Sequence, residues 1–258
     1  MILCRNTYET EGKIVILPSE IKLYKKDMKI GIIAAMSSER EQLARLVSDV
    51  RSVKHGRYDY MVGQFGAHTL YIMECGIGKV NAAVGTVELI TAMQPDVIIS
   101  SGVAGGIDAA VGVMDVVYGA DVVYHDVWCG TGNAYGQVQG LPPMFHGDDR
   151  LAAVAASLQT DTKIHGGLIC SGDKFITGRS ELDAIKAQFT DGLAVDMESG
   201  AIAQVCHLYG KPFLSFRIIS DTPGADGHLA QYEDFWGTLA NRSFGVVRTL
   251  IESLPEKW

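Results

Sequence analysis

Three acidic residues stand where apolar, strand-like runs come to an end: Glu39, Glu198 and Asp221. Carboxyl groups with different pKa values are a common means of general acid and base catalysis. Glu39 follows the run Lys29 to Ala34 and falls in the first turn of a predicted helix, where the helix dipole stabilises a carboxylate. Glu39 is therefore either a site residue or an acid that only starts a helix.

Two acids, Asp196 and Glu198, flank Met197 where a buried strand passes into a helix. Residues two apart share a face while the chain is extended, although the start of the helix can turn Glu198 outward. Capping of the helix accounts for one of these acids and leaves the other for a ligand.

An arginine, Arg217, interrupts an otherwise nearly apolar strand that ends at Ser220 and Asp221. A buried guanidinium requires a carboxylate partner or a ligand, because an unpaired buried charge is costly. Desolvation beside Ile218 and Ile219 is expected to raise the pKa of Asp221. A purely structural ion pair between Arg217 and Asp221 is the alternative.

A glycine-rich turn, Ser100 to Gly106, follows the central strand. Its glycines either let a ligand approach the backbone or only shape a tight turn. The turn is neither a GxGxxG fingerprint nor a P-loop. The seven histidines show no HxH or HExxH spacing and GxSxG is absent, so we expect no metal and no serine hydrolase.

The composition favours one globular domain. The chain has 258 residues, 47% hydrophobic and 20% charged, and its net charge of −8 argues against nucleic acid or an anionic membrane as partner. Five scattered cysteines form no CxxC pair, and no signal peptide or membrane span is evident, so a cytoplasmic location is expected. Residues 1–27 are predicted to be a loosely attached extension or a start-site artefact before a single domain over 28–258.

Apolar runs alternate with helical patterns after Met28, which is typical of strands crossed over by helices. The predicted fold class is α/β, a three-layer α/β/α sandwich with a central mixed β-sheet, whose site lies beyond the carboxyl ends of the strands. The predicted strands are Lys29 to Ala34, Tyr58 to Gln64, Leu70 to Glu74, Val97 to Ser101, Asp115 to Tyr124, Gly166 to Ser171, Gly192 to Val195 and Phe213 to Ser220. The predicted helices are Ser38 to Leu46, Lys79 to Met93, Asp148 to Leu158, Arg179 to Phe189, Glu198 to Tyr209 and Gly237 to Glu252.

Three local features are also predicted. The second and third strands form an antiparallel hairpin through Gly66. The fifth helix turns a stripe of Ile202, Val205, Cys206 and Tyr209 toward the sheet. Gly210 supplies the C-cap of that helix.

Seven motifs, in this order, resemble those of 5'-methylthioadenosine/S-adenosylhomocysteine nucleosidases: MKIGIIAAMSSERE, GIGKVNAA, SGVAGGI, YHD, SGDKFI, AVDMESGAIAQVC and FRIISD. The resemblance extends from Met28 nearly to the C-terminus. It implies a nucleoside phosphorylase-like fold, a homodimer, and no metal or cofactor. The implied substrate is an adenine nucleoside (methylthioadenosine, S-adenosylhomocysteine or 5'-deoxyadenosine), from which water releases adenine.

The same resemblance implies roles for the matching residues. Glu39 would activate the attacking water, Asp221 would protonate adenine at N7, and Glu198 and Met197 would hold the ribose. The remaining implied substrate-binding residues are Phe175 stacked on adenine, Ile176 at the adenine edge, Val103, Ala104 and Gly105 in the glycine-rich turn, Met36, Ile77 and Tyr232 around the 5' group, and Arg217 and Ser220 in support of Glu198 and Asp221.

Cleavage of an N-glycosidic bond requires a proton for the departing base and an ionised group that activates water. We therefore expect opposite environments for the two acids, with Asp221 protonated near neutrality and Glu39 ionised. Glu39 would also repel phosphate, which favours hydrolysis over phosphorolysis.

The chain departs from the family pattern at Val103, where some relatives have serine, and in the shorter loop 127–132 after Asp126, which is expected near the partner subunit's site. These departures leave the preferred 5' substituent open. The alternative functions are a nucleoside phosphorylase, a futalosine hydrolase, and a non-catalytic adenosine-binding protein.

Overall fold

The computed structural model describes residues 8–10, 13–15, 28–240 and 244–258. Most of the predicted extension over residues 1–27 lies outside the described residues. Its described part is an antiparallel pair of short strands, β1 (Tyr8–Thr10) and β2 (Lys13–Val15). Whether this segment is a separate extension therefore stays a prediction.

A large mixed sheet and its helices make up the rest of the described chain. The strands are β3 (Met28–Ala34), β4 (Ser48–His55), β5 (Tyr58–Phe65), β6 (His68–Glu74), β7 (Val97–Gly106), β8 (Val116–Tyr124), β9 (Phe145–His146), β10 (Ile164–Ser171), β11 (Gly192–Asp196) and β12 (Phe213–Asp221). The helices are α1 (Ser37–Ala44), α2 (Lys79–Met93), α3 (Asp149–Ser157), α4 (Arg179–Gln188), α5 (Ser199–Tyr209), α6 (His228–Asp234) with a π-helical turn at Phe235–Leu239, and α7 (Gly245–Glu252).

The strand order is β11-β10-β8-β12-β7-β3-β6-β5-β4, with β9 paired to β8. Alternate residues of β3 face opposite sides of this sheet, Ile32 in one buried cluster and Ile33 in another. The first cluster includes side chains from α1, α3 and α7, and the second includes side chains from α2 and α5. The predicted three-layer α/β/α fold with a mixed sheet is confirmed.

The sheet also curls back on itself. β11 pairs with β10 on one side and with the end of β7 on the other, through Ala194 opposite Gly106 and Val195 opposite Gly105. Strands β7, β12, β8, β10 and β11 therefore form a closed ring. On β7, Gly105 also lies opposite Asp221 of β12. The ends of β11 and β12 thus meet on either side of one glycine.

Several local predictions are confirmed. β5 and β6 form an antiparallel hairpin through Gly66, whose φ of 57° suits glycine. α5 ends at Gly210, which has the left-handed conformation of a helix C-cap. Within the described residues, no helix combines the length and apolarity needed to cross a bilayer.

Three local predictions are wrong. Strand β4 was not predicted, because its sequence SDVRSVKH is polar and the strand lies almost fully exposed at the sheet edge. The helix predicted from Gly237 is instead α6, its π-helical turn and α7, so helical structure already begins at His228. Tyr209, predicted on the buried stripe of α5, is 48% exposed at the end of the helix.

Candidate active site

Glu39 is held at the start of α1, directly after β3, by three backbone N–H groups. Its Oε2 accepts from Ala35 at 2.8 Å and Met36 at 3.1 Å, and its Oε1 accepts from Val103 at 2.9 Å. Glu39 is only 1% exposed. The carboxylate therefore links the end of β3 to the glycine-rich turn of β7. An acid that only stabilised the start of α1 would not make the second of these contacts.

Burial raises the pKa of the Glu39 carboxyl above its ordinary value. The charge of Arg217 and the three N–H donors oppose this rise, because both favour the ionised form. The expectation of opposite environments for Glu39 and Asp221 is therefore wrong, since burial raises the pKa of both carboxyls.

Glu198 and Asp196 divide the roles proposed for this acidic pair. Asp196 accepts from the Ser199 backbone N–H at 3.1 Å and so caps α5. Glu198 instead accepts from Gly78 N–H at 2.9 Å, at the start of α2. Burial raises the pKa of Glu198 to about 7, and the nearby Asp196 carboxylate adds to the rise, while Arg217 and the Gly78 N–H oppose it.

The buried partner of Arg217 is Asp196. Arg217 Nη2 lies 2.8 Å from Asp196 Oδ2, and both side chains are 1% exposed. The guanidinium also donates to Ser100 Oγ at 2.7 Å and to Ser199 Oγ at 3.1 Å and 3.2 Å. The alternative of an ion pair between Arg217 and Asp221 is wrong.

The glycine-rich turn brings Arg217 close to Glu39. A Cβ added at Gly102 would lie 2.4 Å from Arg217 Nη1 and 2.5 Å from Glu39 Oε1. No larger residue fits between these two groups without displacing one of them. Gly102 is therefore needed for the packing of Arg217 and Glu39, a role that the sequence did not reveal.

Asp221 ends β12 with one oxygen satisfied and the other free. Its Oδ1 accepts from Ser220 Oγ at 2.7 Å, whereas its buried Oδ2 has no hydrogen-bond partner within the described residues. Burial raises the pKa of Asp221, and the Ser220 hydroxyl and the charge of His228 oppose the rise only in part. The group is therefore placed to hold a proton on a free, buried oxygen.

A small cavity adjoins Asp221. Its lining residues are Gly105, Lys174, Phe175, Ile176, Val195, Asp196, Met197, Asp221 and Pro223. The structure thus brings together five of the predicted site residues: Gly105, Phe175, Ile176, Met197 and Asp221. The cavity is mainly apolar, and two acidic residues, Asp196 and Asp221, stand in its wall, which suits a flat heteroaromatic base with polar edge atoms.

Tyr232 of α6 lies near all three predicted carboxylates. Burial is the main cause that raises the pKa of the Tyr232 hydroxyl, and the negative charges of Glu39, Asp221 and Glu198 raise it further. The hydroxyl donates to Met36 Sδ at 3.8 Å, and the Tyr232 ring meets Phe175 edge-to-face at 5.8 Å between centroids. Tyr232 therefore lies within range of all three charges, and its contacts link α6 to Met36 and Phe175.

The other predicted site residues lie outside the wall of this cavity. Val103 contributes its N–H to Glu39, and Ala104 O accepts from Ser220 Oγ at 3.4 Å. Ile77 is 52% exposed at the start of α2. Glu39 does not line the cavity beside Asp221, and the same holds for eight other predicted residues: Met36, Ile77, Val103, Ala104, Glu198, Arg217, Ser220 and Tyr232.

Sequence reasoning missed four residues of the cavity wall. Lys174, Val195, Asp196 and Pro223 each lie one or two positions from a predicted residue. Asp196 carried a signal, since it was one of the two acids beside Met197. Pro223 carried none, because its contact depends on β7, where a Cβ at Gly105 would lie 2.6 Å from Pro223 Cγ.

The loop after Asp126 packs against another part of the same chain. Trp128 and Tyr135 stack with centroids 6.2 Å apart, and Tyr135 contacts Phe189 at 6.0 Å. Trp128 is nevertheless 57% exposed. In the part of the chain that the structure describes, no three His, Cys, Asp or Glu side chains are grouped as metal ligands.

Comparison with known families gives one family model, the phosphorylase superfamily, which matches residues 29–252. A curated relative is the 5'-methylthioadenosine/S-adenosylhomocysteine nucleosidase of Actinobacillus succinogenes. It is 38% identical over 230 residues, which are 88% of this chain and 100% of the relative.

Two solved structures have closely similar folds. A nucleosidase of the same name from Colwellia psychrerythraea, in complex with adenine, has a TM-score of 0.85 at 36% identity, covering 92% of this chain and 99% of the other. The enzyme from Streptococcus pneumoniae, with a transition-state inhibitor, has a TM-score of 0.83 at 35% identity, covering 88% of this chain and 100% of the other.

The Arg217–Asp196 pair predicts a large effect of one substitution on stability. We expect Asp196→Ala to lower the free energy of unfolding by about 3–5 kcal/mol, because Arg217 would remain buried without its partner. Denaturant unfolding measures the loss.

The control is Asp183→Ala, which removes the partner of Arg179 from an ion pair with side chains 72% and 59% exposed. That variant should change stability by less than about 1 kcal/mol. Equally small losses in both variants would contradict the account.

Proposed function

This chain belongs to the 5'-methylthioadenosine/S-adenosylhomocysteine nucleosidases of the phosphorylase superfamily, and we propose that it hydrolyses the N-glycosidic bond of these nucleosides to release adenine. The observation that supports the mechanism is the free Oδ2 of Asp221 at the wall of the cavity that we propose binds adenine. The charges of Glu39, Glu198 and Asp221 all act on Tyr232, which supports one shared site. The products are adenine and the 5'-substituted ribose.

Asp221 is the proposed general acid. Adenine is a poor leaving group as an anion, so a proton must reach the base as the bond to the ribose breaks. Burial raises the pKa of Asp221, which keeps that proton available, and Ser220 fixes the other carboxyl oxygen. Phe175 and Ile176 line the same cavity, where they would stack on the base and contact its edge.

Glu39 is the proposed base that takes a proton from the attacking water. A base acts best when its pKa is close to the working pH, and the raised pKa of Glu39 is favourable in this respect. The charge of Arg217 and three N–H donors keep the ionised form accessible. A carboxylate here would repel a phosphate dianion, so water is the better nucleophile.

Glu198 and Met197 are the proposed ribose-binding residues. Departure of the base leaves positive charge on the sugar, which nearby carboxylates stabilise. One oxygen of Glu198 accepts from Gly78, and the second remains for ribose hydroxyls. Arg217 and Asp196 hold this region from behind, since Asp196 caps the helix that Glu198 begins.

The 5' substituent would lie among Met36, Ile77 and Tyr232. Met36 and Tyr232 are in contact, and Ile77 is exposed beside the start of α2. An alkylthio group suits thioether and aromatic neighbours. We propose methylthioadenosine and S-adenosylhomocysteine as substrates, with 5'-deoxyadenosine as a further candidate.

We further propose a homodimer. Val80 and Val84 lie one helical turn apart on α2 and are 74% and 49% exposed, and Ile77, just before the helix, is 52% exposed. Exposed apolar residues in such a row mark an interaction surface. The loop after Asp126 would then approach the partner's 5' pocket. A cytoplasmic location is supported by the free, buried thiols of Cys75, Cys170 and Cys206, because such thiols persist in reducing compartments.

Adenine release from methylthioadenosine in phosphate-free buffer tests the function directly. We expect full activity without phosphate and a free reducing sugar as the second product. Activity that requires phosphate and yields a ribose 1-phosphate would identify a phosphorylase. Preference for futalosine in a substrate panel would identify a futalosine hydrolase, and bound but uncleaved nucleoside would identify a binding protein.

Replacement of Asp221 by asparagine should lower kcat by at least about 100-fold, because the amide cannot donate the acidic proton. The matched control is Asp226→Asn, an exposed acid of the following segment, which should keep wild-type kcat. Steady-state assays over a pH series measure both variants. A folded D221N variant with wild-type kcat would remove Asp221 from the acid role.

The raised pKa of Asp221 also predicts a pH-dependent stability difference. Above the ordinary Asp pKa of about 3.9, the folded protein keeps a proton that the unfolded chain releases. The stability gained from this proton is full below that pH and is lost as the pH rises through the folded pKa. Asparagine does not titrate, so D221N should melt at a higher temperature than wild type at neutral pH. A lower melting temperature would contradict the shift.

The dimer predicts that Val80→Asp yields single chains. A charged side chain at this exposed position leaves the fold of one chain intact but would be buried in the interface. Sedimentation equilibrium should give twice the chain mass for wild type and for the control Val50→Asp, whose valine is 46% exposed on the edge strand β4. A monomeric wild type, or a V80D dimer, would exclude this interface.

A further inference from the structure

Lys79, Asp126 and Asp173 form a connected polar group, which we call the Lys79 clasp. Lys79 Nζ donates to both oxygens of Asp126 at 2.9 Å, and Asp126 Oδ2 also accepts the N–H of Asp173 at 2.8 Å. Asp173 Oδ1 in turn accepts the backbone N–H of Lys79 at 2.7 Å. The hydrogen bonds close a ring through three segments that are far apart in sequence.

Each segment in the clasp carries a part of the proposed site. Lys79 begins α2 and directly follows Gly78, whose N–H holds Glu198. Asp173 lies two residues before Phe175, the aromatic residue at the cavity wall. Asp126 begins the loop that is expected near the partner subunit. The clasp therefore joins the ribose-binding end of the site to its base-binding end.

Phe175 depends on such support because its own packing is weak. Its side chain is 47% exposed, and its described ring contact is with Tyr232. An exposed ring on a loop is positioned mainly by the hydrogen bonds of the backbone that carries it. By contrast, Ile176 is buried and is fixed by the core.

We propose that Lys79, Asp126 and Asp173 are positioning residues, which hold Phe175 and the Gly78 N–H in the geometry that binds adenine and ribose. This inference deepens the proposed nucleosidase function and rests on it. The clasp side chains do not line the cavity beside Asp221, so the proposal has them act through Phe175 and Glu198.

The ion pair also has a matched control in this chain. Lys79 and Asp126 have side chains 23% and 28% exposed at an N–O distance of 2.9 Å. Lys186 and Asp108 have side chains 25% and 31% exposed at 2.8 Å. Lys186 otherwise donates to the carbonyls of Thr190 and Gly192, away from the cavity wall. The two pairs resemble each other in exposure and length but differ in what they support.

The test compares Lys79→Met, Lys79→Arg and Lys186→Met in the full-length protein. Lys79→Met keeps an unbranched side chain but removes the ammonium group, which lies 5.2 Å from the centroid of the Tyr124 ring. We expect Lys79→Met to raise both the KM for methylthioadenosine and the adenine Kd about tenfold, with a smaller effect on kcat. Lys79→Arg should restore both values to within about threefold, because a guanidinium can pair with Asp126. Lys186→Met should leave both constants unchanged while lowering the melting temperature to a similar extent.

A double-mutant cycle with Phe175→Ala separates positioning from general stability. If the clasp acts through Phe175, Lys79→Met should weaken adenine binding much less in the Phe175→Ala background than in wild type. Additive effects, a wild-type Kd in Lys79→Met, or an equal change in Lys186→Met would each overturn the inference. Adenine Kd is measured without turnover, so a wild-type protein that binds adenine but cleaves no nucleoside would refute the proposed function while leaving the clasp testable.

Discussion

One buried cation surrounded by carboxylates is the interaction on which the site depends. Arg217 pairs with Asp196, and its charge also favours the ionised forms of Glu39 and Glu198. Without it, burial would leave several acids in one place that could not ionise together. The small Gly102 and the hydroxyls of Ser100 and Ser199 allow this cation to reach the core. The ionised form of the carboxyl groups that take part in the chemistry therefore depends on the charge of one strand residue, Arg217.

The sequence was informative where strands end. Glu39, Glu198 and Asp221 each follow a buried strand, and the carboxyl ends of neighbouring strands meet at one edge of a sheet. The need of Arg217 for a carboxylate followed from the cost of an unpaired buried charge. Its partner could not be read from the chain, because Asp196 and Asp221 are both acids at strand ends and only the register of the sheet separates them.

The remaining errors have a common physical origin in tertiary structure. Strand β4 forms from a polar segment because β5 offers an unpaired edge, which periodicity does not reveal. The pKa of Glu39 depends on burial by residues far away in sequence, so its direction was wrongly expected. Val195 and Pro223 enter the cavity wall through their contacts with Gly105, which neighbours in sequence do not predict.

The closed ring of strands has a mechanical consequence. In an open sheet, neighbouring strands can splay at their ends when a ligand enters, but β7 is paired on both sides, with β12 and with β11. Separation of Asp221 from Asp196 would break main-chain ladders on either side of Gly105. The sheet therefore holds Asp221 and Asp196 at a fixed separation. The movements that admit nucleosides and release products are expected in α6 instead.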